Sequence, residues 1–349
     1  MRQVLLRIPI PGTEQVLTLY GYGAMMCLGF LAAILVAAHL AKRQKQPPDV
    51  VYNIALLCFF GGILGARLFF VVQYSGQFPH LLDLVKIWEG GLTFYGGFLL
   101  AVLAVASYLV ATGRPILYWL DILAPGVALG EGFGRVGCFL NGCCYGDVCP
   151  TGWGLAWPVG SIPWQHYAEQ FLASAGWPSA PGALAALGMT PAQPAGAAAG
   201  ALAGSLAAAW HAPAIYPAQL LSLLNAALLT LVLYTMWRWK RRHGQIIFAL
   251  ILLYGVSRFL LEILRADEAA VYLLGLPTLL EALGMHATAA RLPGMTISQN
   301  VAIGMAVAGV VGLVLLARSR RPTLQADYVP PAPAPEDSPE PKRGKRRER

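Results

Sequence analysis

Two groups of charged side chains with helical spacing stand inside apolar parts of this sequence. Arg258, Glu262 and Arg265 are separated by four and three residues. Glu131 and Arg135 are separated by four. Side chains at these spacings lie on one face of a helix. Because the guanidinium group of arginine donates fork-shaped pairs of hydrogen bonds that match phosphate and carboxylate oxygens, the two groups predict a binding site for an anion.

The elements that hold these side chains are those of a membrane protein. Of the 349 residues, 57% are hydrophobic and only 12% are charged, whereas about 25% of residues in an average soluble domain are charged. A spanning helix needs about 20 mostly apolar residues. We predict an all-α integral membrane protein whose seven transmembrane helices cover roughly 18–41, 51–73, 92–112, 118–137, 215–236, 246–264 and 296–317.

The distribution of positive charge predicts the orientation of these spans. Cytoplasmic loops of membrane proteins retain an excess of lysine and arginine. With the amino terminus outside and the carboxyl terminus cytoplasmic, 17 of the 25 lysine and arginine residues fall on the cytoplasmic side, six fall outside and two lie within spans. These residues gather at the ends of apolar runs and do not interleave with aromatic residues. The net charge of +8 therefore does not indicate a nucleic-acid partner.

We predict a seven-span catalytic domain over residues 1–321. One segment inside it and one segment after it differ in composition from the spans. Residues 159–212 are rich in Ala, Gly and Pro, and we expect an external insertion with some helix there. An eighth span in this region would move the basic cluster at 237–243 to the outside. Residues 322–349 are Pro-rich and then basic, which predicts a disordered cytoplasmic tail.

Other polar groups extend the predicted anion site. Arg67 lies in the outer half of the second span, where a charged side chain costs on the order of 3 kcal/mol and is by default a functional hypothesis. Six more lie at the outer ends of spans: Tyr22, Tyr95, Asn141, Tyr216, Gln219 and Gln299. Each group also has a simpler explanation when it is taken singly. Glu262 could only neutralise the neighbouring arginines, and Arg265 could only extend to the membrane–water interface. Snorkelling alone would place such groups at both faces, so we infer a shared polar cavity near the outer leaflet. A phospholipid suits it, with its phosphate on the arginines and its tails between the helices.

The cysteines allow more than one interpretation. Four of the six occur in CFLNGCCYGDVC, residues 138–149. On the outer side they can form a structural disulfide. Spacings of five, one and five residues do not match a zinc site, which typically has CxxC pairs or nearby histidines, so no metal and no cofactor are predicted. A membrane thiol–disulfide oxidoreductase is the alternative function, although the chain lacks a CxxC-like redox pair.

Seven motifs, in order and in register with the spans, resemble the bacterial prolipoprotein diacylglyceryl transferases. They are LYGYGAMMCLGF (19–30), GARLFF (65–70), WEGGLTFYGG (88–97), GEGFGRVGCFLNGCCYG (130–146), YPAQLLS (216–222), YGVSRFLLEILR (254–265) and TISQN (296–300). The resemblance implies a multi-pass enzyme of the bacterial inner membrane with its active site toward the outer leaflet. Such an enzyme transfers the diacylglyceryl group of phosphatidylglycerol to the lipobox cysteine of an exported prolipoprotein. A thioether forms and glycerol phosphate is released.

The resemblance also implies roles for individual residues. Positions matching Arg135 and Arg258 hold the phospholipid headgroup in the family. We therefore assign catalytic roles to Arg135, Arg258 and Tyr95. We assign substrate binding to Tyr22, Arg67, Asn141, Gly146, Gln219, Glu262, Arg265 and Gln299.

The sequence departs from the family pattern at several of its positions. Tyr95 stands where many members carry histidine, so it either accepts the proton of the substrate thiol or only positions the headgroup. Cys138 and Cys143 stand where Asn and Glu are often found, and Ser222 stands where a Glu often occurs. The chemistry must proceed without those groups.

Overall fold

The protein folds as a bundle of apolar helices. In the computed structural model the chain is described over residues 4–9, 16–74, 91–150, 152–158, 161–174, 213–265 and 295–319. Seven described helices are long and apolar enough to span a membrane: α1 Gly21–Arg43, α2 Asp49–Gln73, α3 Phe94–Ala111, α4 Ile116–Asn141, α6 Ala218–Met236, α7 Gln245–Glu262 and α8 Ile297–Arg318. A shorter helix, α5 Ile162–Ser174, lies between α4 and α6. The predicted fold class, an all-α integral membrane protein with seven spans, is confirmed.

The end of α4 differs from the prediction. The predicted fourth span ends at residue 137, but α4 continues to Asn141. The helix ends at Gly142, whose φ of 81° lies in the left-handed region that glycine adopts without a steric penalty. Arg135, Cys138 and Asn141 therefore all stand on the last turns of a regular helix.

A β-hairpin precedes the first span and was not predicted. Strands β1 Val4–Pro9 and β2 Val16–Tyr20 pair antiparallel, with Val4 opposite Tyr20. Strand β2 leads directly into α1, since Tyr20 is the N-cap residue of that helix.

Helix α4 is the centre of the bundle. Half of the residues in its apolar 18-residue stretch are buried, against at most 28% in the corresponding stretches of the other six spanning helices. Helix α4 packs on α1, α6 and α7. Small residues permit these contacts: a Cβ on Gly126 would lie 2.6 Å from the carbonyl oxygen of Ala33. Close backbone packing is the main source of helix association in lipid, because burial from lipid gains no hydrophobic free energy.

Helices α2 and α3 form a pair that joins the rest of the bundle at one end. A side chain on Gly65 would overlap the backbone of Gly96, so the two helices are in direct contact. A buried core connects the pair to α1 and α4 through Leu40, Ile54, Leu109, Trp119 and Ile122. Beside this core an open apolar groove of about 280 Å³ lies between α1, α2 and α4.

The two ends of the bundle differ in charge. Arg43 at the end of α1 donates to the Tyr234 hydroxyl of α6 at 3.1 Å. Arg242, before α7, donates to the Ser319 carbonyl after α8 at 2.7 Å. These contacts place Arg43 and Arg242 at one end of the bundle, which we call the basic end. The opposite end, where α4 and α7 finish and α8 begins, is called the site end.

One buried ion pair at the basic end was missed by the sequence analysis. Asp121 is fully buried on α4 and lies 2.8 Å from Lys240 Nζ. It also accepts hydrogen bonds from the backbone N–H groups of Gly244 and Ile247, at 2.7 and 2.8 Å, and so caps the start of α7. Burial lowers the pKa of Lys240, and the Asp121 carboxylate opposes that shift. The inference that all unusual polar groups of the spans lie at one end is therefore wrong for Asp121.

Candidate active site

A buried carboxylate at the end of α7 binds two arginines. Glu262 is 2% exposed, and its Oε2 lies 2.8 Å from Arg258 Nη1 and 3.3 Å from Arg265 Nη1. The i, i+3 and i, i+4 spacings noted in the sequence produce this geometry directly. The three groups together carry one net positive charge.

The first turn of α8 completes this cluster. Ser298 accepts a hydrogen bond from Arg258 Nη2 at 2.9 Å, and the Thr296 hydroxyl lies 3.3 Å from Glu262 Oε1. Thr296 and Gln299 form a capping box: the Thr296 hydroxyl accepts from the Gln299 N–H at 3.1 Å, and Gln299 Oε1 accepts from the Thr296 N–H at 3.0 Å. The side-chain oxygen of Gln299, assigned to substrate binding, is thus engaged in the cap of α8.

Arg135 of α4 approaches the same cluster through a tyrosine of α7. The guanidinium group of Arg135 donates to Glu131 Oε1, with the shorter contact at 3.0 Å. The Tyr254 phenol interacts electrostatically with Arg135 and with Arg258. Arg135 and Arg258 therefore meet around one phenol, although they belong to different helices. Their side chains are only 15% and 14% exposed.

Tyr22 lies beside Arg135 at the start of α1. Its ring packs against the backbone of Gly137, where an added Cβ would lie 3.1 Å from Tyr22 Cδ2. The Tyr22 hydroxyl interacts electrostatically with Arg135 and with the thiols of Cys138, Cys143 and Cys144. Since the Tyr22 side chain is 41% exposed, this part of the site is open.

Gly146 joins three segments at the site end. It forms a bridge with Arg265, and its N–H donates to the Tyr216 carbonyl at 3.2 Å. A Cβ at this position would lie 2.6 Å from Tyr216 Cβ and 2.9 Å from the Leu264 carbonyl oxygen. Gly146 therefore contributes to the site by its lack of a side chain, which lets the backbone come close to Tyr216 and Leu264.

Two amide side chains hold the loop after α4. Gln219, 1% exposed on α6, donates from Nε2 to the Cys143 carbonyl at 2.9 Å. The Asn141 side chain interacts with the Cys143 thiol. Both residues were assigned to substrate binding, and in the structure both contact this loop.

Three thiols collect at the end of α4. The sulfur atoms of Cys138, Cys143 and Cys144 all lie within 4.8 Å of one another. No disulfide involves these three residues. Hydrogen bonds with Cys138 and Cys144 lower the pKa of the Cys143 thiol. The spacing of the cysteines in the sequence did not predict this cluster.

Helix α5 covers the loop that carries Gly146. The Tyr167 hydroxyl lies 3.4 Å from the Gly146 carbonyl and 3.4 Å from Asp147 Oδ1. Burial raises the pKa of Tyr167, with a further contribution from Asp147, so the phenol stays a hydrogen-bond donor. Helix α5 lies within residues 159–212, for which an external insertion with some helix is predicted; residues 175–212 and the tail 322–349 lie outside the described residues.

Arg67 and Tyr95 lie on the α2–α3 pair. Arg67 is 7% exposed, donates to the Gly91 carbonyl at 3.1 Å and stacks on Phe70. Tyr95 is 66% exposed and contacts Phe94 edge to face. These two predicted site residues thus belong to the pair that borders the apolar groove, and the Arg258 cluster is formed by other helices.

Three residues of the site around Arg135 and Arg258 were not assigned a role in the sequence analysis. Tyr254 stands four residues before Arg258, a spacing that could have identified it as a neighbour on the same helix face. Thr296 and Ser298 belong to a quoted motif, but they join the site only through the packing of α8 on α7.

Comparison with known proteins identifies the family. A family model described as prolipoprotein diacylglyceryl transferase matches residues 12–315. The chain belongs to the prolipoprotein diacylglyceryl transferase family. A phosphatidylglycerol–prolipoprotein diacylglyceryl transferase of Clostridium tetani is 30% identical over 72% of this chain and 82% of the relative. The Geobacter sulfurreducens protein of that name is 31% identical over 73% and 81%. The Rhodopirellula baltica protein of that name is 37% identical over 49% of this chain, a region that spans 37% of that relative.

These matches confirm the predicted family resemblance. The names of the bacterial relatives support the transferase prediction and not the oxidoreductase alternative. The seven spanning helices agree with a multi-pass inner-membrane protein.

Proposed function

We propose that this protein transfers the diacylglyceryl group of phosphatidylglycerol to the lipobox cysteine thiol of a prolipoprotein. The sulfur atom forms a bond to the glycerol carbon as the bond from that carbon to the phosphate oxygen breaks. The products are a thioether and glycerol phosphate. The observation that carries the proposal is the meeting of Arg135 and Arg258 around Tyr254 inside a seven-helix bundle.

The charge of the cluster suits a monoanionic lipid headgroup. Glu131 neutralises Arg135, and Glu262 neutralises one of its two arginine partners, so one positive charge remains among these five groups. Phosphatidylglycerol carries a single negative charge on its phosphate. Charge grows on the departing phosphate in the transition state, and preorganised guanidinium donors stabilise that growing charge most strongly.

The apolar groove gives the acyl chains a place beside this headgroup site. Its lining extends along α4 from Leu123 to Gly130. Gly130 stands five residues before Arg135, a rise of about 7.5 Å along the helix. A lipid whose phosphate contacts Arg135 would thus have its tails between α1, α2 and α4. Tyr95 and Arg67 would approach the lipid from the α2 and α3 side of the groove.

Two steps remain: activation of the lipobox thiol and access of the prolipoprotein to the site. Thiolates, not thiols, are nucleophiles, so the lipobox thiol must lose its proton before attack. We assign to Tyr95 the role of accepting this proton or of positioning the headgroup, and to Tyr22 a contact with the lipid beside Arg135. We further infer that the site end faces outward and the basic end faces the cytoplasm, because the positive-inside rule favours the cytoplasm for the basic end. An exported prolipoprotein reaches the site from that outer side.

Reconstitution tests the proposal. The full chain in phosphatidylglycerol nanodiscs should convert a lipobox peptide into its diacylglyceryl thioether and release an equal amount of glycerol phosphate, both measured by mass spectrometry. A peptide with serine in place of the lipobox cysteine is the matched control and should stay unmodified. Absence of thioether in nanodiscs that contain folded protein would contradict the proposal. Tyr95→Phe in the same assay separates the two roles of Tyr95: loss of the proton acceptor lowers kcat, whereas loss of a headgroup contact raises KM for the lipid.

A further inference from the structure

The end of α4 and the loop after it hold three thiols in an arrangement suited to a metal ion. The sulfurs of Cys138, Cys143 and Cys144 lie within 4.8 Å of one another. Three thiolates bound tetrahedrally to zinc at about 2.3 Å lie about 3.8 Å apart. Small rotations of the side chains are therefore enough to form the site.

The backbone brings these thiols together. After the left-handed Gly142, the N–H of Cys143 returns to the Cys138 carbonyl at 3.1 Å. Cys144 has a φ of 60°, in the left-handed region that costs a non-glycine residue roughly 1 kcal/mol or more. The buried Gln219 amide holds the Cys143 carbonyl in place. Backbone and amide contacts thus position the cluster, and the Cys143 thiol also donates to the Cys138 carbonyl at 3.9 Å.

The cluster is accessible from one side and lies beside the proposed headgroup site. Cys138 is 9% exposed, and Cys143 and Cys144 are partly exposed. Tyr22 interacts electrostatically with all three thiols and with Arg135. A ligand above the sulfurs would therefore stand next to the arginine that we assign to the lipid phosphate.

We propose that Cys138, Cys143 and Cys144 bind a zinc ion whose fourth position takes the lipobox cysteine of the prolipoprotein as a thiolate. Catalytic zinc sites have three protein ligands and keep one position open, and zinc deprotonates a thiol that coordinates it. This inference rests on the transferase function proposed above and names the group that activates its nucleophile. The sequence contains no CxxC pair, but the helix end and the left-handed turn bring cysteines of a different spacing together.

The step balances without an oxidant or a reductant. The lipobox thiol releases its proton to water when its sulfur binds zinc. The zinc-bound sulfur then attacks the glycerol carbon of the lipid, and the electron pair of the breaking carbon–oxygen bond leaves on glycerol phosphate. A thioether is a much weaker ligand than a thiolate, so the product leaves and water takes the fourth position. Placing both reactants side by side removes much of the entropic barrier to their reaction.

Metal analysis and cobalt spectroscopy of the full chain in nanodiscs test the proposal. The wild-type protein should contain about one zinc per chain, as expected for a single site. Cys138→Ser, Cys143→Ser and Cys144→Ser should lose it, whereas Cys149→Ser and Cys27→Ser are controls that should keep it. In cobalt-substituted wild type, the lipobox peptide should strengthen the thiolate-to-cobalt charge-transfer absorption, and the serine peptide should leave it unchanged. Removal of zinc by a chelator should lower the transfer rate at least 100-fold, and added zinc should restore it.

The outcomes separate this inference from the function on which it rests. Metal-free wild type that transfers lipid at the normal rate and shows no thiolate–cobalt absorption would overturn the zinc site and leave the transferase intact. Zinc that depends on the three cysteines, in a protein that never forms the thioether, would overturn the transferase and leave the site. A cobalt spectrum that the cysteine peptide does not change would overturn thiol activation. The cobalt measurement on wild type does not depend on the folding of any variant.

Discussion

Arg258 and Glu262 form an ion pair with 2.8 Å between Nη1 and Oε2, and the carboxylate is completely buried. Glu262 also binds Arg265, so one carboxylate serves two guanidinium groups. Breaking a buried pair by removing one partner costs about 3–5 kcal/mol because the other charge is left uncompensated. Here the second arginine limits that cost, which makes substitutions of Arg258 informative about function.

Arg258→Lys should lower the transfer rate about 100-fold while the protein stays folded. Lysine retains the charge but cannot contact Glu262 and Ser298 with separate nitrogens of a planar fork, and loss of one preorganised donor costs about 10²–10³ in rate. Initial rates of thioether formation measure the effect. Arg43→Lys at the basic end is the matched control and should change the rate little. A rate for Arg258→Lys within a few-fold of wild type would remove Arg258 from catalysis.

Tyr254→Phe should lower kcat/KM for the lipid about tenfold. The substitution removes the hydroxyl that interacts electrostatically with both Arg135 and Arg258, and a tenfold loss corresponds to about 1.4 kcal/mol. Steady-state kinetics at varied phosphatidylglycerol content measure it. Tyr234→Phe loses a hydrogen bond from Arg43 at the basic end and should be near wild type. Equal effects of the two substitutions would argue that the tyrosines only stabilise the bundle.

Gly146→Ala should abolish transfer and lower stability by about 1–3 kcal/mol, the usual cost of overpacking. The new methyl group would lie 2.6 Å from Tyr216 Cβ, so the junction of the α4 loop with the end of α7 must open. Thermal unfolding in detergent and the transfer assay report the two effects. Gly304→Ala is the control, because a Cβ there would meet no atom within 4 Å. Normal activity of Gly146→Ala would show that this junction does not position the site.

Gln299→Glu should retain both stability and transfer, while Gln299→Ala should lose about 1 kcal/mol of stability. Glutamate replaces glutamine in a capping box, whereas alanine leaves the Thr296 N–H without its partner. Direct contact of Gln299 with an anionic phosphate predicts the opposite for Gln299→Glu, since a carboxylate would repel the lipid. Melting temperature and KM for phosphatidylglycerol distinguish the cap from the predicted substrate contact.

Asp121→Ala should destabilise the protein by about 3–5 kcal/mol because it leaves Lys240 buried without a counter-charge. The double variant Asp121→Ala with Lys240→Met should recover part of the loss. Thermal unfolding of the two single variants and the double variant measures the coupling. The transfer rate per folded molecule should stay close to wild type, since the pair lies at the basic end. Additive effects of the two substitutions would contradict the pairing.

Local patterns in the sequence were sufficient for the spans and for part of the site. Hydropathy predicted all seven helices within a few residues at most ends, because a spanning helix must satisfy its backbone internally and face lipid with apolar side chains. Helical spacing predicted the Arg258, Glu262 and Arg265 cluster and the Glu131–Arg135 pair for the same local reason. The β-hairpin and the extension of α4 were missed, since both depend on weak local signals near the membrane edge.

What the sequence alone determined is the set of helices and the charged groups that each one carries, since both follow from interactions within a few turns of chain. Only the tertiary structure decided that Arg135 meets Arg258 through Tyr254 and that Gln299 caps α8. It likewise decided that the three thiols share one corner, and that Asp121 is buried at the far end. These contacts depend on which helix faces pack together, and the small residues that permit such packing do not encode a partner by themselves.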